Sequence, residues 1–467
     1  MGVLVMEPFD KIKDYGVTVC NQIRWKRAHP LIEEEIENHI IDQRDAYISD
    51  GDDETTATNK AIIQMGDPVE VGIQLDRTHR PKPQKTMIFL TMLLLFIGLF
   101  IRLFILNNSD YPMQLPKQLI STIFGIGIML AVYFADFTFI GKYPKTIYFT
   151  ILIASIGILL ISSEVNGRPY FIASFISFSC TYLTLLFPLA FVAIIYLARG
   201  KGYNGIVLSG IALFALVCLA SFVSTFSGVL LITISGLFLI SIAINRNWFG
   251  INKLIGYMIF FIPTTIFFGY AFSTNTAYYV ERLQLAINPY IEAYGKGYLG
   301  ALTKELLKNA KLFGHGTIPE SYDMNIIEMF NFNITDYLLT YLIYNVGWIA
   351  FFIIIATLTI FIIKGFMLCL KQKSELGLLV SLAVMMTLTY ESLGYIVSNL
   401  GFQLLQPISL PLISYGNVAT IINLALIGIM LSVFRSGDIV SDKRIKIYPK
   451  GRFISWNNGR LIIDFNK

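Results

Sequence analysis

From Thr86 onward the apolar residues come in long blocks broken by short polar stretches. Ten such blocks lie near 86–106, 117–138, 145–163, 171–198, 203–222, 225–244, 251–272, 337–364, 376–399 and 411–434. About 20 apolar residues in a helix cross a bilayer's hydrocarbon core. Only a helix bundle satisfies the backbone of so many spans in lipid. The pattern therefore predicts an all-α protein, a polytopic membrane bundle of about ten transmembrane helices. The shortest connection, at Val223-Ser224, is the least marked boundary.

The first 80 residues follow a different pattern. Leu31, Ile32, Ile36, Ile40 and Ile41 recur at helical spacing, with acids between them. A further helix runs through ETTATNKAIIQM and stops at Gly66. Asp67-Pro68 restarts one, with Asp as N-cap and Pro in the first turn. Residues 1–80 thus read as a small soluble helical domain, with Arg77, Arg80, Lys82 and Lys85 marking a basic approach to the bilayer. The division expected is a helical domain at 1–80, a linker at 81–85, a transmembrane domain at 86–436 and a tail at 437–467.

One polar insertion interrupts the membrane pattern, from about Phe272 to Asp336. Loops this long more often carry function than connection. It contains YVERLQLAINPYIEAYGKGYLG (Tyr279–Gly300), GHG (Gly314–Gly316) and NITDY (Asn333–Tyr337), with mixed charge at Glu281, Arg282, Glu292, Lys296 and Asp336.

Charge supplies the orientation. The chain is 55% hydrophobic, 14% charged and +5 overall, outside the usual soluble range. Residues 1–85 hold 16 acids and 11 basic residues, a net −5 that leaves about +10 for the rest. With a cytoplasmic N-terminus, the inner loops hold Lys142, Lys145, Arg199, Lys201, Arg246, Lys253, Lys364, Lys371 and Lys373, while the short outer loops hold Lys117 and Arg168. The positive-inside rule then puts both termini in the cytoplasm and the 273–336 loop outside. Basic charge placed this way indicates a multi-pass cell-membrane protein, with no nucleic acid as partner. Cys20, Cys180, Cys218 and Cys369 lie too far apart for a zinc motif, and neither a disulfide framework nor a signal peptide is expected. No GxxxxGK[ST] phosphate loop occurs.

Motifs in the second half narrow the class. VERLQLAINPYIEAYGKGY resembles the ER-x-x-x-F-x-NPxxDPxGxGYQ stretch of the SEDS family of shape, elongation, division and sporulation proteins. GHG resembles that family's GxG, and TDYLLTYLIYNVG its TDFIFAxxxEELG. GFQLLQPISLPLISYGNVAT matches GLLPxTGLPLPFISYGGSS without a gap. The order agrees over roughly residues 279–434. QIRWKRAHP, EEEIENHIIDQ and QMGDPVEVG resemble a helical prefix domain found before membrane segments in some Gram-positive proteins.

The SEDS resemblance implies ten membrane helices with a large outer loop between the seventh and eighth. It also implies polymerisation of glycan strands from lipid II, with undecaprenyl-linked substrates and a class B penicillin-binding transpeptidase as partner. In that chemistry a sugar 4-hydroxyl attacks an anomeric carbon and displaces a lipid pyrophosphate. A carboxylate must take the proton, and Arg, Lys or a divalent cation must help the departing pyrophosphate. The family's loop aspartate falls on Glu292, which becomes the candidate base, one methylene longer. Arg282, Lys296, Asp336, Ser414 and Tyr415 become candidate substrate contacts.

Departures matter as much. Where the family has QPDLG this chain reads STFSG (Ser224–Gly228). Tyr344-Asn345 replaces the EE pair, NVA (Asn417–Ala419) replaces GSS, and no QPSE is legible. A non-catalytic scaffold for a transpeptidase and a lipid flippase or transporter therefore stand beside the polymerase as alternatives. Within the apolar blocks, Arg102 and Glu391 both fall in outer halves of their helices and are candidates to pair.

Overall fold

The computed structural model describes residues 8–108, 115–165, 168–173, 176–223, 226–274, 276–317, 336–414, 416–437, 454–457 and 460–463. It contains two compact units. Among the described residues, one is made of 8–84 together with Gln372–Ser374 and 434–437, and the other of the remainder.

In the first unit four helices follow one another: α1 (Pro8–Gln22), α2 (His29–Ser49), α3 (Glu54–Met65) and α4 (Pro68–His79). Ile12, Tyr15 and Val19 of α1 pack with Ile32, Ile36 and Ile40 of α2 in a shared core. The local signals at Gly66 and Asp67 act as read. Asp53 accepts the Thr56 amide at the start of α3, Gly66 ends it at φ 87°, and Asp67 accepts the Val69 amide where Pro68 opens α4.

The second unit is a bundle of apolar helices. In order they are α5 (Lys85–Asn108), α6 (Leu115–Ala135), the short α7 (Thr138–Lys142), α8 (Pro144–Leu160), α9 (Phe187–Ala198), α10 (Gly202–Val223), α11 (Phe226–Asn245) and α12 (Lys253–Thr274). Next come α13 (Thr276–Ile287), α14 (Tyr298–Lys308), α15 (Leu338–Val346), α16 (Trp348–Leu370), α17 (Glu375–Asn399) and α18 (Asn417–Ser436). Among the described residues nine stretches are long and apolar enough to cross a membrane, and α8, with 17 residues, is a shorter apolar helix. The polytopic helical bundle is thus as expected.

Three of the ten blocks have a different internal form. The 171–198 block is not one helix. Its start belongs to an antiparallel sheet of β1 (Ser163–Val165), β2 (Arg168–Ile172) and β3 (Ser177–Ser179), and the spanning part is Cys180–Ala198. The aromatic and β-branched residues of RPYFI and the alternation of SFS suit a strand.

The 337–364 block breaks at Gly347. This glycine has φ 109°, and a Cβ there would lie 2.5 Å from Leu312 O. The break separates α15 from the spanning α16.

The 411–434 block becomes helical only at Asn417. Residues 406–414 are non-helical and end in a turn at 411–414, with Leu412 at φ 65°. Non-helical backbone at membrane depth must be enclosed by protein. Here Gly98 of α5 lets the segment approach, since a Cβ there would lie 2.6 Å from Leu412 O. Arg102, 1% exposed, donates to Ser414 O at 3.0 Å and Ile413 O at 3.4 Å. Glu391, also 1% exposed, accepts from Ser409 Oγ and, at 3.4 Å, from Asn423. Arg102 and Glu391 therefore grip one segment at different points, in place of the direct pairing considered from sequence.

Candidate functional site

The first half of the loop forms a framework beside the bundle. α13 carries the ER pair, and Arg282 Nε donates to Leu404 O at 3.0 Å while its Nη1 donates to Tyr278 Oη at 2.8 Å. These bonds hold the guanidinium between α13 and the 400–407 segment. Asn288 opens a 3₁₀ turn, Pro289–Glu292, by accepting the Tyr290 amide.

The turn then reverses through Gly295 and Gly297, whose amides both donate to Glu292 O, at 3.0 and 3.2 Å. Gly297 must be glycine, because a Cβ there would lie 2.2 Å from Pro289 O. Glu292 itself is exposed on this turn. Lys296 pairs with Glu281, the partners being 68% and 38% exposed. That bond raises the Lys296 pKa, with a smaller contribution from Glu292 nearby.

Asp336 sits on the other side. It precedes α15, whose first turn is fastened to α17. Tyr395 Oη accepts the Leu338 amide at 3.1 Å, and Asn399 Oδ1 accepts the Thr340 amide at 3.1 Å. Asn399 Nδ2 donates to the Asp336 carbonyl at 3.0 Å, and Tyr337 Oη donates to Gln403 at 2.6 Å. Helix N-termini leave backbone donors unsatisfied; here side chains of α17 take two of them, which fixes the backbone at Asp336.

These elements enclose a cavity of about 310 Å³. Among its lining residues are Arg168 of β2, Glu281 and Arg282 of α13, Lys296, Asp336 and Gln406. A separate recess of about 20 Å³, lined by Arg168, Tyr170, Tyr182, Asp336 and Gln406, shares Arg168, Asp336 and Gln406 with it. Asp336 borders both spaces. Enclosure by protein raises its pKa, and the Arg168 guanidinium opposes that rise. Among the described residues no group of three or more His, Cys, Asp or Glu is placed to hold a metal ion. The carboxylates lining the cavity are Glu281 and Asp336.

Of the candidates read from sequence, the cavity unites Arg282, Lys296 and Asp336. Glu292 is not among its lining residues and stands on the adjoining turn. Ser414 is not among them either: it is buried, and its Oγ accepts the Leu410 amide at 2.9 Å to close a turn. Tyr415, and Asn333 to Thr335 of the NITDY motif, lie outside the described residues. GHG is bound to the far end of α15, Gly314 N donating to Val346 O and Gly316 N to Tyr344 O, at 2.8 and 2.7 Å. His315 stacks edge-on against Tyr344, with centroids 4.8 Å apart. The replacement of the family's EE pair thus serves packing on the GHG turn. In the STFSG replacement, Ser227 Oγ donates to Gln406 O at 2.7 Å.

Sequence reasoning missed Arg168 as a site residue. The available signal was its isolation: it is one of two basic residues in the short loops on the cation-poor side.

The model of the FtsW, RodA and SpoVE family, described as cell cycle protein, matches residues 84–438. The peptidoglycan glycosyltransferase MrdB of Escherichia coli K12 is 24% identical over 208 residues, 44% of this chain and 53% of MrdB. The Shigella flexneri MrdB gives the same figures. The chain thus matches about half the length of these curated relatives. Among solved structures, a chain of a peptidoglycan synthase complex that coordinates polymerization and crosslinking superposes with TM-score 0.59 at 17% identity, over 77% of this chain and 99% of that one. The rod shape determining protein RodA of Thermus thermophilus gives TM-score 0.50 at 15% identity, over 76% and 97%. These likenesses show a shared fold, and with a family match over most of its length this chain belongs to the FtsW/RodA/SpoVE (SEDS) family of multi-pass membrane proteins.

Proposed function

We propose that this protein polymerises glycan strands from a lipid-linked disaccharide, lipid II, at the outer face of the cell membrane. The observation that carries the reading is the cavity that joins Arg168, Arg282, Lys296 and Asp336 beside the NPxxE turn. Its basic residues suit a pyrophosphate, whose departure needs positive charge. Arg282 is the strongest candidate for that contact, because its other bonds already fix the guanidinium's direction. Glu292 supplies the general base in this reading. It stands on the motif position that carries the family's acid, on a turn adjoining the cavity, where an incoming sugar would arrive from solvent. The inner-loop cations support placing both termini in the cytoplasm and this cavity outside. A crosslinking transpeptidase is the partner this activity calls for.

The test is polymerisation of labelled lipid II by the purified chain. Glu292→Gln should lower turnover by about 10²–10⁴-fold, and Glu292→Asp should keep or raise it. A Gln variant working at the wild-type rate would place the base elsewhere. A wild type that makes no polymer even with a transpeptidase partner present would favour the scaffold.

A further inference from the structure

We propose that Asp336 is the proton donor to the departing diphosphate, a second catalytic carboxyl complementary to Glu292. The inference rests on the reading of the cavity as the pyrophosphate site.

Asp336 is the carboxyl that borders both the cavity and its recess, on the same walls as Arg168. Its backbone is held from α17 by Asn399 and by the Tyr395 hydroxyl that fixes Leu338. A carboxylate in a phosphate site is repulsive when ionised. Protonated, it is a hydrogen-bond donor to a phosphate oxygen. Arg168 and Tyr170 from β2 and Tyr182 from the 3₁₀ helix Cys180–Leu186 line the recess with it, and the Tyr395 hydroxyl of α17 holds the Leu338 amide two residues on. Glu281, Arg282 and Lys296 line the cavity wall contributed by the ER helix and the glycine turn, and Tyr337 adjoins in sequence. Of these, Arg168 is the group that favours the ionised form most directly, and enclosure disfavours it. A diphosphate that engages Arg168 withdraws that support and adds negative charge, so binding drives Asp336 toward its acid form.

The surroundings of the two carboxyls then divide the labour. An open carboxylate suits a base and an enclosed carboxyl suits an acid. The bond between the anomeric carbon and the diphosphate oxygen breaks with its electron pair on that oxygen. The Asp336 proton passes to the diphosphate. The acceptor 4-hydroxyl oxygen forms the new bond to carbon and gives its proton to Glu292. Exchange with water then reprotonates Asp336 and deprotonates Glu292, so the cycle closes without a net change in either.

The experiment is calorimetric titration of the purified full chain with undecaprenyl diphosphate, in two buffers of different ionisation enthalpy, alongside lipid II turnover. The wild type should bind with net proton uptake. Asp336→Asn should bind without uptake and turn over about 10²–10⁴-fold more slowly, at little change in KM. Asp336→Glu should regain part of the rate. Arg168→Gln, which removes the cation favouring the ionised form of Asp336, should take up fewer protons; this covers the case in which the Asn variant fails to fold. An Asp336→Asn protein that polymerises at the wild-type rate, or an Arg168→Gln protein with unchanged uptake, overturns the role of Asp336 while leaving the cavity's function in place. A wild type that neither binds the diphosphate nor polymerises overturns the reading of the cavity itself.

Discussion

Glu292 and Asp336 lie on opposite sides of one loop and in opposite surroundings. Glu292 is exposed on a turn whose shape is set by glycines and local backbone bonds. Asp336 is half-buried in the cavity wall, and its position depends on side chains some 60 residues away in sequence, at Tyr395 and Asn399. Local geometry can present a carboxylate to solvent, but only long-range packing can enclose one. The difference fits two tasks: accepting a proton from a sugar that arrives from outside, and donating one to a leaving group held within.

The largest change expected from a cavity cation is at Arg282. Arg282→Gln removes the charge that the reading assigns to the departing pyrophosphate, and turnover should fall by roughly 10²–10³-fold, as for other electrostatic contacts to a transition state. Titration with undecaprenyl diphosphate should show weaker binding in parallel. Unchanged binding would move the pyrophosphate away from α13.

A smaller effect tests the fastening of Asp336. Asn399→Ala leaves the Thr340 amide and the Asp336 carbonyl without their side-chain partners. Buried groups left this way cost about 1–3 kcal/mol each. A lower melting temperature together with a lower turnover is expected, and loss of stability alone would separate α15 from catalysis.

Gly297→Ala addresses the other carboxyl. The new Cβ would collide with Pro289 O, so the turn must open and Glu292 move. Turnover should fall, and because Gly297 is itself buried the melting temperature should fall with it. The least effect belongs to Lys296→Gln. Its pairing with Glu281 is largely exposed, and exposed pairs contribute little. A change of roughly twofold is expected, measured at low and at physiological salt. A loss as large as that for Arg282 would give Lys296 a direct role at the pyrophosphate.

Much of this was legible in the sequence, and the boundary of legibility is physical. Span length and apolar content mark helices such as α5, α10 and α11, because lipid imposes a simple length rule. The stop at Gly66 and the cap at Asp67 are local chemistry and were equally readable. Apolar content does not record where a span is broken from outside. The non-helical segment at 406–414 exists because Gly98, Arg102 and Glu391 receive it, and the break at Gly347 because Leu312 packs against it. The same limit hid one residue of the site. Arg282, Lys296 and Asp336 stood in motifs, but Arg168 reaches the cavity from a sheet more than 100 residues earlier in the chain.

The division of roles between the two carboxyls is tested most directly by the pH dependence of kcat/KM for lipid II polymerisation. The wild type should give a bell. Its acid limb should follow Glu292, which acts when ionised. Its alkaline limb should follow Asp336, which acts when protonated and whose raised pKa extends that form to higher pH. Glu292→Gln should lose the acid limb and Asp336→Asn the alkaline one, each on a reduced rate. Both limbs persisting unchanged in either variant would contradict the assignment of that carboxyl.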